Sequence, residues 1–346
     1  MEIRGIIPAI GTPLRDGDRV DEPGLRRLAQ YLLKAGVNGV FANGSMGGFA
    51  FLTDEEQERA VATVAAEVAG KVPVIAGVGD TGTARAVRKA RRLAGEGVDA
   101  LAVLPPFFFF ANQQHLVAWF SEIAAAVDLP VFLYDNPALT KCSILPETAA
   151  ELRRRIPSIA GIKVSHQDCA SLQELLWVTR EFSGFTVLTG SEFLVLVALE
   201  MGCQGSIGGL YNVCPQIVVD LYRAFESGDR ERARRRQREL IEAWQIFKYG
   251  AIWGAFDEAL RWLGIAERAR RRQRELIEAW QIFKYGAIWG AFDEALRWLG
   301  IAERATGAPY STELPDEEKR KVREILERQV RPWLNESAKD ASATAG

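Results

Sequence analysis

From residue 3 to about residue 228, short apolar runs alternate with stretches whose apolar positions recur every three or four residues. The runs at 5–10, 39–43, 72–78, 100–104, 131–134, 159–164, 186–189 and 205–207 read as strands, each followed by a helical pattern. In the first helical stretch, Leu25, Leu28, Ala29 and Leu32 fall on one face. Asp21 can cap that helix and Gly36 can end it. Thr53-Asp54-Glu55-Glu56 is a capping-box pattern that opens the next helix.

Eight strand–helix units in about 225 residues match the arithmetic of an α/β fold of the (β/α)8 TIM-barrel type. A doubly wound open sheet is the alternative, because periodicity alone does not close a sheet. The count of eight and the regular spacing favour the barrel over residues 1–228. In such barrels the chemistry sits at the C-terminal ends of the strands. Three strand ends carry notable residues. Gly44-Ser45-Met46-Gly47-Gly48 follows the second run, Tyr134 ends the fifth, and Lys163 ends the sixth.

The helical region at 229–334 holds a second pattern. Residues 231–269 and 267–305 are identical, at an offset of 36. Solenoid repeats diverge and come in several copies. Two identical copies (231–266 and 267–302) point instead to a recent or engineered tandem duplication, or to an assembly artefact. Each copy reads as two helices, the first from about 232 to 249 and the second from about 252 to 263. One copy is expected to dock on the barrel. The other must pack on its twin, meet another subunit or expose aromatic surface. The small, polar tail at 335–346 is expected to be disordered.

Composition narrows the class. The 346 residues are 48% hydrophobic and 25% charged, enough for a sizeable core, and the net charge of −2 gives no pull toward nucleic acid or membranes. The arginines at 232, 234, 235, 236 and 238 are flanked by Glu231, Glu239 and Glu242, which reads as a solvated helix face. Cys142, Cys169, Cys203 and Cys214 lack metal-ligand spacing and fit reduced thiols. No apolar run is long enough to span a bilayer, and Met1-Glu2-Ile3-Arg4-Gly5 lacks a secretory pattern. A cytoplasmic protein is expected.

Lys163 is the most informative residue. It lies in Ile159-Ala160-Gly161-Ile162-Lys163-Val164, where an ammonium would lose hydration. Burial there favours the neutral amine, a nucleophile toward carbonyls. The bland alternatives are a tail that snorkels to the strand end or a carboxylate partner.

The motifs decide between these readings. Gly44-Ser45-Met46-Gly47, Leu133-Tyr134-Asp135-Asn136-Pro137 and Gly161-Ile162-Lys163 resemble, in order, three motifs of one superfamily. It is that of dihydrodipicolinate synthase and N-acetylneuraminate lyase, the pyruvate-dependent class I aldolases. The resemblance covers about 3–228, one copy of the C-terminal helices and 315–326. It implies that Lys163 forms a Schiff base with pyruvate or a 2-keto acid containing it, and that Tyr134 relays protons. It further implies substrate contacts at Ser45, Met46, Ser165 and Ile207, and no metal or organic cofactor. The partners implied are a 2-keto acid and an aldehyde. The assembly implied is a homo-oligomer, a tetramer or a dimer.

Departures from the family bear on the aldehyde. Ala138-Leu139-Thr140 stands where dihydrodipicolinate synthases carry an arginine, and residues 107–110 are all phenylalanine where a Pro-Tyr-Tyr segment is expected. Both changes argue against a lysine-biosynthetic role. Of the acidic pair with which neuraminate lyases hold sugar hydroxyls, one acid is retained as Glu192. Met46, Phe108 and Phe193 suggest a less polar pocket, and hence a small or partly apolar aldehyde. A 2-keto-3-deoxy sugar acid stays open. Two other functions also stay open: a dehydratase or hydratase-aldolase using the same imine, and a non-catalytic binding or assembly protein on the same scaffold.

Overall fold

A computed structural model describes residues 2–15, 19–248, 258–260 and 262–265 of the chain. They fall in two compact units, Met1–Thr12 with Arg19–Glu242, and Pro13–Asp18 with Ala243–Gly346. Among the described residues of the first unit, eight strands form one parallel sheet. They are β1 (Gly5–Pro8), β2 (Val40–Ala42), β3 (Val74–Val78), β4 (Ala100–Val103), β5 (Val131–Asp135), β6 (Ile159–Val164), β7 (Thr186–Thr189) and β8 (Gly205–Gly208). Their order is β1-β8-β7-β6-β5-β4-β3-β2. A parallel bridge from Ala9 to Phe41 then joins the end of β1 to β2, and the Ile10 amide donates to the Phe41 carbonyl at 2.9 Å. The sheet is therefore closed. It is a (β/α)8 barrel and not a doubly wound sheet.

The helices follow the patterns that the sequence carries. Helix α1 (Glu22–Lys34) buries Leu25, Leu28, Ala29 and Leu32, and the Asp21 carboxylate caps it by accepting from the Gly24 amide. Helix α2 (Asp54–Val68) starts where Thr53 accepts from the Glu56 amide, one half of the expected capping box. The ring continues with α3 (Thr83–Ala94), α4 (Gln113–Ala124), α5 (Pro146–Arg155), α6 (Cys169–Thr179), α7 (Val195–Met201) and α8 (Pro215–Glu226). None of the helices among the described residues is long and apolar enough to cross a membrane.

The barrel interior is an apolar cluster that includes Ile7, Phe41, Ile75, Ala102, Phe132, Tyr134, Leu188 and Ile207. One irregularity sets its chemistry. Val131 pairs with Ile159, but the next residue, Phe132, pairs with Gly161, so β6 carries one extra residue at Ala160. Without that shift Ile162 would stand opposite Tyr134; with it, Lys163 does. Gly161 makes room for the shift. A Cβ there would lie 2.3 Å from the Thr186 carbonyl oxygen and 2.6 Å from the Phe132 ring.

Helix α9 (Arg230–Trp244) opens the first repeat copy. Arg232 and Arg236 both bond Asp220 on α8. Gln237 accepts from the Leu196 amide and donates to the Glu192 carbonyl, both at 2.9 Å. The first copy thus begins bound to the barrel. In the second unit the Trp244 and Phe247 rings meet edge to face, with centroids 6.2 Å apart. The expected second helix of the first copy is described only at 258–260 and 262–263, and the second copy and the tail lie outside the described residues.

Candidate active site

Strand register puts Lys163 and Tyr134 side by side at the C-terminal ends of β6 and β5. Both are buried, at 4% and 3% exposure, so Lys163 does not snorkel to solvent. Its Nζ lies 4.0 Å from the Tyr134 ring centroid and 4.8 Å from that of Phe41. Among the described residues no carboxylate pairs with it. The adjacent acid, Asp135, occupies the next position of β5 and so the opposite face of the strand. Its carboxylate accepts from the Ile144 amide at 3.0 Å and lies 3.4 Å from His166 Nε2. The amine therefore sits against two aromatic faces, which can hold a cation without the fixed counter-charge that an ion pair would impose.

The Tyr134 ring is fixed edge-on to Phe41, with an interplanar angle of 82°. Its hydroxyl lies 3.2 Å from Ser45 Oγ and accepts from Asn136 Nδ2 at 3.2 Å. Burial pushes the phenol pKa up. The charge of Lys163 and the hydrogen bonds with Ser45 and Asn136 outweigh burial, and the pKa falls below the ordinary tyrosine value. A phenol so placed gives up and regains a proton more readily than one in water. Sequence reasoning missed Asn136 as a site residue, although it lies two positions past Tyr134 in the quoted motif.

The loop after β2 brings in Ser45 and Met46. Asn43 adopts a left-handed conformation, with φ of 55°, and turns the chain into it. Neither the Ser45 nor the Met46 amide donates to a backbone carbonyl among the described residues. Met46 packs on the interior cluster that holds Tyr134 and Ile207, and its Sδ would lie 3.0 Å from a Cβ at Gly209. Ile207 on β8 is 1% exposed. Ser165, the residue after β6, reaches the same place. A Cβ at Gly190 would lie 2.1 Å from Ser165 Oγ and 3.1 Å from Lys163 Cε, so both side chains border that glycine. All six residues singled out by sequence thus stand at the C-terminal end of the barrel or in its interior beneath.

Two neighbours behave differently from the sequence reading. Phe107, not Phe108, packs on the interior cluster and meets Phe49 at a centroid distance of 5.9 Å. Phe108, Phe109 and Phe110 are 68%, 76% and 73% exposed. Glu192 Oε1 accepts from the Gly209 and Leu210 amides at 2.8 and 3.1 Å, which commits that oxygen to the turn after β8. Among the described residues no group of three or more His, Cys, Asp or Glu side chains could hold a metal ion.

The profile of the Dihydrodipicolinate synthetase family matches residues 2–279. The chain belongs to that family. Members of the dihydrodipicolinate synthetase family are pyruvate-dependent, Schiff-base class I aldolases and lyases. Two relatives illustrate the similarity. An uncharacterized DapA-like lyase of Halobacterium salinarum is 36% identical over 258 residues, covering 75% of this chain and 84% of the relative. A 4-hydroxy-tetrahydrodipicolinate synthase of Methanopyrus kandleri is 38% identical over 241 residues, covering 69% and 80%. Among solved structures, YagE is a prophage protein from E. coli K12 in the dihydrodipicolinic acid synthase family, crystallised with pyruvate. It matches with a TM-score of 0.75 and 25% identity over 94% of this chain and 98% of its own.

Proposed function

We propose that the chain is a class I lyase that makes or breaks a carbon–carbon bond in a 2-keto acid, with pyruvate as the ketone half and Lys163 as the Schiff-base residue. The observation that carries this is a buried lysine without a carboxylate partner among the described residues, beside a tyrosine whose phenol pKa is depressed.

The neutral Nζ adds to the C2 carbonyl, and the carbinolamine loses water to give an imine. Tyr134 delivers the proton that leaves with that water. As the C3–C4 bond breaks, the Tyr134 phenolate takes the C4 hydroxyl proton and the protonated imine accepts the electron pair, which leaves the enamine of pyruvate and a free aldehyde. The enamine then takes a proton at C3, and water hydrolyses the imine to release pyruvate and return Lys163. Ser45 and the amides of Ser45 and Met46 hold the keto-acid carboxylate. Ser165 meets the aldehyde half, and Ile207 and Met46 give the pocket an apolar wall.

The turn Pro137–Thr140 carries no arginine; Leu139 is half exposed, and Thr140 is buried with its hydroxyl bonded to the Asn136 and Cys142 carbonyls. With Met46 and Phe107 on the interior cluster, this supports a small or partly apolar aldehyde over a second carboxylate-bearing one. The exposed rings of Phe108, Phe109 and Phe110 support a homo-oligomer, because so large an aromatic patch is costly in water.

Borohydride reduction in the presence of pyruvate, read by intact mass and peptide mapping, tests the proposal. A pyruvate-derived adduct on Lys163 that is lost in Lys163→Ala is expected. No adduct on the folded protein would overturn it.

A further inference from the structure

Besides Lys163, the Tyr134 hydroxyl meets two side chains of different kinds. Ser45 Oγ at 3.2 Å can donate or accept, whereas Asn136 Nδ2 at 3.2 Å can only donate, because an amide nitrogen has no lone pair to offer. The Tyr134 oxygen must accept on the Asn136 side, so its own proton points elsewhere, toward Ser45 and the space above Lys163. No hydroxyl comes from the loop after β4, where residues 107–110 are all phenylalanine.

We propose that Asn136 is the positioning residue of the proton relay: its amide fixes the direction in which Tyr134 passes a proton and supports the phenolate when that proton has left. The assignment rests on the class I reading of Lys163 and Tyr134. Asn136 is 9% exposed, and Tyr134 is the partner of its side chain, while its carbonyl separately accepts from the Leu139 and Thr140 amides and from Thr140 Oγ1. A side-chain change therefore removes the donor and leaves the backbone turn its bonds. Around the phenol, Lys163 is the charged group facing it from β6, Ser45 faces it from the loop after β2, and Phe41 packs on it from β2. When the phenol ionises, Asn136 and Ser45 can both donate to it, and Lys163 supplies the opposite charge. A hydrogen bond to a charged oxygen is stronger than one to a neutral oxygen, so the contact tightens as the proton leaves.

The test uses Asn136→Asp, which keeps the volume but offers an ionised acceptor, and Asn136→Leu, which offers nothing. Ionisation of Tyr134 in the free protein is followed by phenolate absorbance, as the difference from Tyr134→Phe. The rate of pyruvate imine formation is followed across pH by borohydride trapping. Both variants should shift the Tyr134 ionisation and the matching limb of the rate profile to higher pH, Asn136→Asp further. Trapping should slow roughly tenfold, the change expected for one lost hydrogen bond to a charged group. In the Tyr134→Phe background the same changes should cost nothing more. An unmoved ionisation, or an equal loss without the tyrosine hydroxyl, would overturn the proposal. Failure of the class I reading has a different signature: no adduct on wild-type Lys163, whereas the Tyr134 ionisation still reports on Asn136.

Discussion

Gly190→Ala probes the convergence of Ser165 and Lys163 with a single methyl group. Gly190 follows β7, and its amide is held by the Val164 carbonyl at 2.6 Å. An added Cβ would lie 2.1 Å from Ser165 Oγ, 3.0 Å from Ser165 Cβ and 3.1 Å from Lys163 Cε. The hydroxyl can rotate away, but the two carbons cannot. Carbon pairs rest at about 3.5–4.0 Å, so each must retreat by roughly half an ångström. Such overpacking costs ~1–3 kcal/mol, and a domain of this size loses about 2–4 °C of melting temperature per kcal/mol. A displacement near 1 Å at a reacting group costs about 100-fold in rate, so half of that should slow imine trapping by roughly tenfold. Adding Ser165→Gly removes two of the three contacts and leaves the one to Lys163 Cε. The double variant should therefore recover most of the melting temperature but less of the trapping rate. The assay pairs a thermal melt with the initial rate of borohydride-trapped pyruvate adduct. A Gly190→Ala protein that melts and reacts like the wild type would refute the convergence, as would a double variant no more stable than the single.

Three further outcomes are expected. Asp220 is buried beside Arg232 and Arg236; burial pushes its pKa up, but the two guanidinium groups outweigh that and hold it below the ordinary carboxylate value. Its contribution is full above the ordinary carboxylate pKa of about 4 and is lost as pH falls through the lower folded value. Asp220→Asn should thus destabilise by ~1–3 kcal/mol at neutral pH, with half-exposed Arg232 adding little, and the difference from wild type should shrink in acid melts. Deleting residues 231–266 should leave pyruvate trapping intact. The two copies are identical, so the 310-residue product (346 − 36) still offers a glutamine at position 237 for the Leu196 amide and the Glu192 carbonyl. Loss of trapping would mean that the site depends on having both copies. Replacing Phe108, Phe109 and Phe110 by serine should lower the mass seen in sedimentation equilibrium, and an unchanged mass would remove those rings from the subunit interface.

The barrel was legible because its strands are apolar runs punctuated at regular intervals, and because the apolar stripe on α1 and the Thr53 cap obey local rules that neighbours do not override. Lys163 was legible for the opposite reason: a charge in an apolar run is a local conflict, and such conflicts concentrate where function is. The extra residue at Ala160 was not legible, since inserting one small apolar residue leaves the run apolar. Only the pairing with β5 reveals that Lys163, and not Ile162, stands opposite Tyr134. Nor could four consecutive phenylalanines say which ring turns inward. That choice follows from the backbone, where Phe108 takes a φ of 89° and leaves Phe107 on the interior cluster.

Asn136 shows the same limit at the level of one hydrogen bond. Its type and position are plain in the sequence, yet strand alternation alone would put residue 136 on the same face as Tyr134 without saying what its amide meets. The turn Pro137–Thr140 makes the difference, because proline at its first position ends the strand and frees the Asn136 side chain to bend back onto the phenol. The chemistry thus depends on three local devices: an extra residue in β6, a glycine beside Lys163 and a proline after Asn136. None of them is a catalytic residue. Each acts by setting which polar atom faces the barrel interior, where leaving a donor or acceptor without a partner costs about as much as the hydrogen bonds contribute.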